Sequence, residues 1–210
     1  GFFSDAEIEI TKSWLISAAA RLENFSDFGF VSTGKLATRV KINSFINWRA
    51  SVSSGFRAPS LQQIYFNNTV TSFSFGQLIQ NRIASNVEAI TKSAGIPSLK
   101  EENSINFSTG FTAKIANGLR LTLDGYAIKL MDRIVLSGVF SANDPTLTTT
   151  FTQQLKSINV SSAQFFANAV NTSNFGLDFV VDYSKKWANQ TLKLSLTGNL
   201  NKVSIDKVNV

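Results

Sequence analysis

Asn103-Ser104-Ile105-Asn106-Phe107-Ser108-Thr109-Gly110-Phe111-Thr112-Ala113-Lys114 alternates without a break. Ile105, Phe107, Thr109, Phe111 and Ala113 share one face, and Asn106, Ser108, Gly110, Thr112 and Lys114 share the other. Ile115-Ala116-Asn117-Gly118 follows, and Asn-Gly is a hairpin-turn signal. The return arm sets Leu119, Leu121 and Leu123 against Arg120, Thr122 and Asp124. It then runs without proline through Tyr126 and Met131-Asp132-Arg133-Ile134-Val135 to Phe140, so one unbroken strand Leu119–Phe140 is expected. A period of two is a strand signal, not a helix signal. Ordinary strands hold about 5–6 residues and a membrane-spanning strand about 9–11, so arms this long suit a barrel wall that rises above a membrane.

Composition narrows the field. The chain has 210 residues, 43% of them hydrophobic, with 18 Phe and neither Cys nor His. Without His or Cys there is no zinc site of the usual ligand types and no His-based triad. No apolar run reaches the roughly 18 residues of a membrane helix, so any crossing must be made by strands. The formal charge is +6. Its cations are spread along the chain, with Lys185-Lys186 adjacent, which reads as solvated charge and gives no nucleic-acid surface. No G-x-S-x-G elbow, P-loop or metal-ligand spacing is present, so the chain does not read as an enzyme and implies no cofactor.

In order, Gly1–Ile10 is weakly patterned, with Ile8 and Ile10 at the start of a strand. Trp14, Ile16, Ala18, Ala20 and Leu22 oppose Leu15, Ser17, Ala19, Arg21 and Glu23. Residues 24–35 are polar and read as a loop. Leu36, Thr38, Val40 and Ile42 oppose Arg39 and Lys41. Trp48, Ala50, Val52, Ser54 and Phe56 oppose Arg49, Ser51, Ser53 and Arg57, and Pro59 ends that strand. Residues 60–100 form a long excursion, with helical spacing expected over 78–94, Gly95 as its C-cap and Pro97 beyond. Residues 141–164 are a second long loop. Phe175, Leu177, Phe179, Val181 and Tyr183 then oppose Asp178 and Asp182, and after a turn at 187–190 Leu192, Leu194 and Leu196 oppose Lys193 and Ser195. The expected fold is all-β: an antiparallel up-and-down meander of about seven long strands, a section of a large transmembrane barrel, with a short helix in one long loop. Turns at 44–47, 115–118 and 187–190 fall at one end, and the longer connections at the other, the layout of an outer-membrane barrel. Trp14, Trp48 and Trp187 sit near strand ends, where aromatic girdles lie. Alternation alone also fits a soluble β-sandwich binding module, or a passive porin or adhesin barrel.

Several stretches resemble TonB-dependent outer-membrane receptors. Ser54-Gly55-Phe56-Arg57-Ala58-Pro59-Ser60-Leu61 is similar to their G-F-R-A-P-S-L segment. Arg21-Leu22-Glu23 with Ser26-Asp27-Phe28-Gly29, and Leu99-Lys100-Glu101-Glu102 with Ser104, match strand borders of that family. Asp124 and Tyr126 followed by Asp132-Arg133-Ile134-Val135-Leu136, and Phe165-Phe166-Ala167-Asn168-Ala169 with Thr172 and Gly176-Leu177-Asp178, match two more. The five matches occur in family order and cover most of residues 21–201.

The resemblance implies a barrel of about 22 strands closed by a plug. It also implies localisation in the bacterial outer membrane and active import of an iron-siderophore, cobalamin or glycan with energy supplied by the TonB complex. Residues 1–210 are then a partial barrel domain, with the plug, the early strands and the last strands outside it. The implied partners are outer-membrane lipid, TonB acting through the plug, and a small-molecule or glycan substrate. Tyr65, Phe66, Phe73 and Phe75 in the first excursion, with Arg57 at its root, are the expected substrate contacts. Arg21, Glu23, Arg39, Lys41, Arg49, Arg120, Asp124, Asp178, Asp182 and Lys193 are expected to line the lumen.

The first and last strands of such a section are open edges, and open edges pair with other chains. Residues 1–210 alone in plain buffer should aggregate or dimerise edge to edge. Size-exclusion chromatography checks this, and a monodisperse monomer would count against a barrel section.

Overall fold

A computed structural model describes every residue except Asp27, Phe28, Phe75, Asn209 and Val210, together with all their side chains but those of Ser74 and Gln77. The elements are, in order, β1 (Phe2–Thr11), β2 (Trp14–Phe25), β3 (Gly29–Lys41), β4 (Ile46–Arg57), α1 (Leu61–Tyr65), β5 (Asn68–Ser74), β6 (Gln77–Ala84) and α2 (Ala89–Ser93). There follow β7 (Glu102–Ala116), β8 (Leu119–Leu136), β9 (Phe140–Ser141), α3 (Thr149–Ser157), β10 (Ser162–Trp187) and β11 (Gln190–Val208). Strand accounts for 69% of the chain and helix for 9%, so the fold is all-β, a section of barrel wall. The sheet order is β1-β2-β3-β4-β7-β8-β10-β6-β5, with β11 and β9 also paired to β10.

The wall strands follow one another as a meander, as their alternation predicts. Three expectations need correcting. Gly1–Ile10 is weakly patterned, yet β1 pairs with β2 from Phe2↔Leu22 to Thr11↔Trp14, because a ladder of backbone bonds does not require apolar side chains. The loop expected over residues 24–35 is mostly strand, with β2 and β3 paired from Phe25↔Gly29 to Trp14↔Val40. The strand expected to reach Phe140 stops at Leu136, and Phe140–Ser141 forms a separate short strand on β10. The long wall strands among the described residues are therefore β1, β2, β3, β4, β7, β8, β10 and β11, one more than expected.

The chain divides into two compact units. The first comprises Gly1–Phe56, Asn103–Met131 and Thr172–Asp206. Here register keeps the two kinds of side chain apart. Leu36↔Val52, Thr38↔Ala50 and Val40↔Trp48 pair on one face, and Arg39↔Arg49 and Lys41↔Asn47 on the other. Phe111↔Leu123 and Ala113↔Leu121 alternate likewise with Gly110↔Asp124 and Lys114↔Arg120. The apolar face is largely uncovered, with Leu36 at 53% exposure and Leu196 at 63%.

The second unit takes in Arg57–Glu102 and Asp132–Asn171, and it holds the buried apolar core. Ala84, Ile90, Ala142, Phe151, Leu155, Val160, Ala163 and Phe165 pack together. The rings of Phe140, Phe151 and Phe165 meet with centroids 5.5–6.0 Å apart, in edge-on or tilted geometry. The helix expected over 78–94 is only half right. Residues 77–84 are β6, paired antiparallel with β5 and parallel with Ser162–Phe165 of β10. Ile79 and Ile83 have helical spacing, but a strand partner 81 residues away decides the conformation. Helix α2 occupies Ala89–Ser93 with Ala94, not Gly95, as its C-cap; Gly95 follows at φ +77° with its N–H on the Lys92 carbonyl at 3.0 Å. The short helix expected in one loop becomes three in two connections among the described residues.

Phe151 is 1% exposed. Phe151→Ala should cost the second unit about 3–5 kcal/mol. Hydrogen exchange should speed up at the amides of α2, α3 and β6 while those of β2 and β3 keep their protection.

Candidate functional site: a clamped loop unit and a charged sheet face

In the second unit, Pro59 stops β4 and Ser60 caps the next helix. Ser60 Oγ accepts from the Gln63 N–H at 3.1 Å, and Gln63 Oε1 accepts from the Ser60 N–H at 3.0 Å, a full capping box. Just before it, Arg57 donates to both carboxylate oxygens of Glu102, at 3.1 and 2.5 Å. Glu102 is 7% exposed and also accepts the Ile134 N–H at 2.8 Å. One carboxylate thus ties the end of β4, the start of β7 and the upper part of β8. Arg57, expected at a substrate site, is a member of this clamp.

Two asparagines fix the next stretch. The Asn168 side chain accepts from the Lys100 N–H at 2.9 Å and donates to the Lys100 and Asp132 carbonyls, at 3.0 and 2.7 Å. Asn171 Oδ1 accepts the Asp132 N–H at 2.9 Å. Asp132 has φ 56°, a left-handed conformation that asparagine and aspartate tolerate better than most residues. Asn86 closes the first excursion, donating to the Pro97 carbonyl at 3.1 Å and accepting from the Leu99 N–H at 3.0 Å. Glu102, Asn86, Asn168 and Asn171 were not singled out as site residues. Of these, Glu102 and Asn168 stand in the motifs that carry the family resemblance.

The expected aromatics occupy separate elements. Tyr65 ends α1 and is 59% exposed, and Phe66, its C-cap, is half-buried. Phe73 is on β5, paired with Leu78 beside the hairpin tip, and is 76% exposed. Phe75 lies outside the described residues. Val70 and Leu78 are exposed on the same hairpin, so it presents apolar surface rather than folding onto itself.

In the first unit, the residues expected to line a lumen share one face, and several are paired. Arg21 and Glu23 meet at 2.6 Å. Arg49 reaches Asp124 at 2.6 and 3.0 Å. Gly110 stands between them in the sheet, and a Cβ there would overlap the Asp124 carboxylate. Tyr126 likewise lies over Gly176, and Asn199 donates to the Tyr126 hydroxyl at 3.3 Å and to Asp178. Ser195 donates to Asp182 at 2.8 Å. Arg39, Lys41, Arg120 and Lys193 form no ion pair among the described residues. Tyr126, Asn199 and Ser195 were absent from the expected set, although they obey the same alternation.

Among the described residues no group of three or more carboxylates is gathered as a metal site would require. Two carboxyls of the loop unit are held below their ordinary values, Asp144 by the Thr146 hydroxyl and N–H, and Glu88. Glu88 accepts from the Ser85 N–H at 3.1 Å and from Arg82 at 2.7 Å. Partial burial pushes the Glu88 carboxyl up, but the Ser85 N–H and the Arg82 guanidinium outweigh it and hold it below its ordinary 4.5. A depressed carboxylate stabilises fully above the ordinary value, and the contribution disappears as pH falls through the lower folded value. Lowering the pH from about 7 to about 3 should therefore loosen the 85–93 turn, seen as faster relative exchange there after correction for intrinsic rates. Glu88→Gln should be looser at neutral pH and should lose that acid response.

Comparison with known proteins places this geometry. The family model "TonB dependent receptor-like, beta-barrel" matches residues 1–209. Among solved structures, the siderophore receptor PirA from Pseudomonas aeruginosa is 15% identical, with a TM-score of 0.61, over 98% of this chain and 36% of that one. The RagAB peptide importer in its closed-closed state is 15% identical, with a TM-score of 0.65, over 99% of this chain and 22% of that one. A mutant of the ferric enterobactin receptor PfeA from Pseudomonas aeruginosa is 16% identical, with a TM-score of 0.65, over 94% of this chain and 26% of that one. At these identities the likeness is one of fold, and the chain spans about a fifth to a third of the length of these proteins. A search of curated proteins gave no match. With the family model covering nearly every residue, the chain belongs to the TonB-dependent receptor β-barrel family.

Proposed function

We propose that the chain is wall and outer loops of an outer-membrane active-transport receptor. The receptor captures a scarce, bulky solute and imports it with TonB-supplied energy delivered through a plug outside residues 1–210. The observation that supports this best is the split between the faces of the wall. The apolar face is exposed across paired strands, while the opposite face carries ion pairs and hydrogen-bonded polar side chains. A soluble sandwich would cover that apolar face with a second sheet. Lys185 stacks on Trp187, Nζ 5.2 Å from the ring centroid, beside the β10–β11 turn, an arrangement suited to a membrane interface.

The solute we favour is an iron-siderophore, the ligand class of receptors such as PirA. Cobalamin, glycan and peptide are its competitors. The contacts proposed are Tyr65, Phe66 and Phe73, rigid aromatic surfaces on the loop unit. Arg57 is assigned to holding that unit in place through Glu102 rather than to touching solute.

Three experiments on the full-length receptor test this reading. Spin labels at positions 121, 179 and 194 should be reached by lipid-soluble oxygen, and labels at 122, 178 and 193 by a polar relaxation agent. Shielding of the first set from both agents would refute the membrane assignment. Leu121→Arg should cost about 2–4 kcal/mol in assembly and Thr122→Arg far less. Separately, Tyr65→Ser and Phe73→Ser should each weaken ferric-siderophore binding roughly tenfold, the loss of about 1.4 kcal/mol at an aromatic anchor, with barrel assembly unchanged. Unaltered affinity in both variants would remove these aromatics from the site.

A further inference from the structure

The β5–β6 ribbon of the second unit has one closed side and one open side. Asn81–Ala84 of β6 pair with Ser162–Phe165 of β10. Just before them the Ser161 N–H donates to the Gln80 carbonyl at 2.8 Å, and the Gln80 N–H donates to the Ser161 hydroxyl at 3.4 Å. β5 stands at the end of the sheet order, and among the described residues no strand lies on its far side. It pairs with β6 from Asn68↔Ile83 to Ser74↔Gln77 without a bulge, and Asn68 to Phe73 are all exposed. Every second residue of such a strand turns its N–H and C=O outward. β5 therefore presents a row of main-chain donors and acceptors that repeats about every 7 Å.

Natural edges are blunted by lysine, proline, a bulge or inward charge. Asn68-Thr69-Val70-Thr71-Ser72-Phe73-Ser74 carries none of these. Its hydroxyl-rich side chains keep the vacant edge hydrated, which suits an occupant that comes and goes. Phe73, a proposed solute contact, lies on this strand and pairs with the exposed Leu78, while Val70 lies exposed on the opposite face.

We infer that β5 captures the imported solute by strand addition, so that a peptide backbone in the solute lies along Asn68–Ser74 as one more strand. The inference rests on the receptor reading and narrows it to an iron chelate whose ligand groups hang from a linear peptide. An extended run of peptide bonds repeats donors and acceptors at the spacing of the edge, whereas a glycan or a corrin ring does not. Each main-chain bond adds roughly a two- to tenfold gain in affinity, whatever the side chains. Preference then comes from the neighbours that flank the added strand, here Phe73 with Leu78 on one face and Val70 on the other.

The test uses the full-length receptor and, as probe, a linear ferric peptide bearing three N-hydroxyornithine side chains. N-methylating alternate backbone amides removes the donors on one side of the probe strand. One methylation parity should weaken binding at least about tenfold and the other less than about threefold. Equal effects of the two parities would overturn the inference. No binding of the unmethylated probe beside tight binding of ferric citrate would also overturn it, and would leave the receptor reading standing. Equal binding of the iron-free peptide, with the same parity effect, would uphold strand addition and remove iron from the solute. Val70→Pro and Thr71→Pro, made separately, remove N–H groups of opposite parity. The one that keeps the β6 amides protected from exchange has lost an outward donor and should weaken the probe about two- to tenfold. If both open the hairpin, the methylation parities still decide. With Val70 replaced by p-benzoylphenylalanine and no solute added, a photo-adduct to another stretch of the receptor or to a second copy would show the edge already covered and overturn the inference.

Discussion

The constraint behind this chain is that a strand in hydrocarbon can satisfy its N–H and C=O groups only on its neighbours. Each group left over costs several kcal/mol there, whereas an exposed ion pair contributes about 0–1 kcal/mol. Backbone pairing therefore dominates, and side chains are arranged to protect it. The wall strands keep register over long runs, from Phe25↔Gly29 to Trp14↔Val40 and from Asn103↔Met131 to Lys114↔Arg120. Where a polar side chain must reach across a strand, a glycine makes way. Gly110 lets Asp124 reach Arg49, and Gly176 lets Tyr126 lie flat toward Asn199.

The two units gain stability differently. In the second unit, burial of Phe151, Phe165 and Leu155 removes apolar area from water, at roughly 25 cal/mol per Å². In the first unit the large apolar side chains stay exposed in the isolated sheet, so that term is missing there. The loop unit supplements its small core with directed bonds. The Arg57–Glu102 pair, the Asn86 bridge and the Asn168–Asn171 grip on Asp132 all satisfy backbone or charge where three chain segments meet.

How much of this could be read in the sequence follows from range. Period-two alternation is local, so strands β2, β3, β4, β7, β8, β10 and β11 and their faces were legible, as was the turn at Asn117-Gly118. What depends on a distant partner was not. The apolar spacing of Ile79 and Ile83 suits a helix, and only the pairing with β5 and with Ser162–Phe165 turns it into strand. Residues 29–35 read as a loop by their polar, Gly-bearing composition, and only their backbone bonds to β2 make them strand. The candidate site was legible only in part. Arg57 and Glu102 stand in separate motifs, and nothing local shows that they close on each other. The aromatics Tyr65 and Phe73 could be picked out as a class, while their exposure is a property of the folded loop.

The parallel pairing of β6 with the first residues of β10 has a consequence in time. β5 pairs with one side of β6 at once, but the other side of Asn81–Ala84 finds its partner in Ser162–Phe165, so the ribbon emerges early and waits for a stretch made much later. Contacts that bridge such a separation close slowly, because the intervening chain must be confined first. The loop unit is therefore among the last parts to become ordered. Until β10 arrives, β6 is an unprotected edge bearing Leu78 and Ile83, the stage at which a nascent receptor is most exposed to wrong pairing and to proteases.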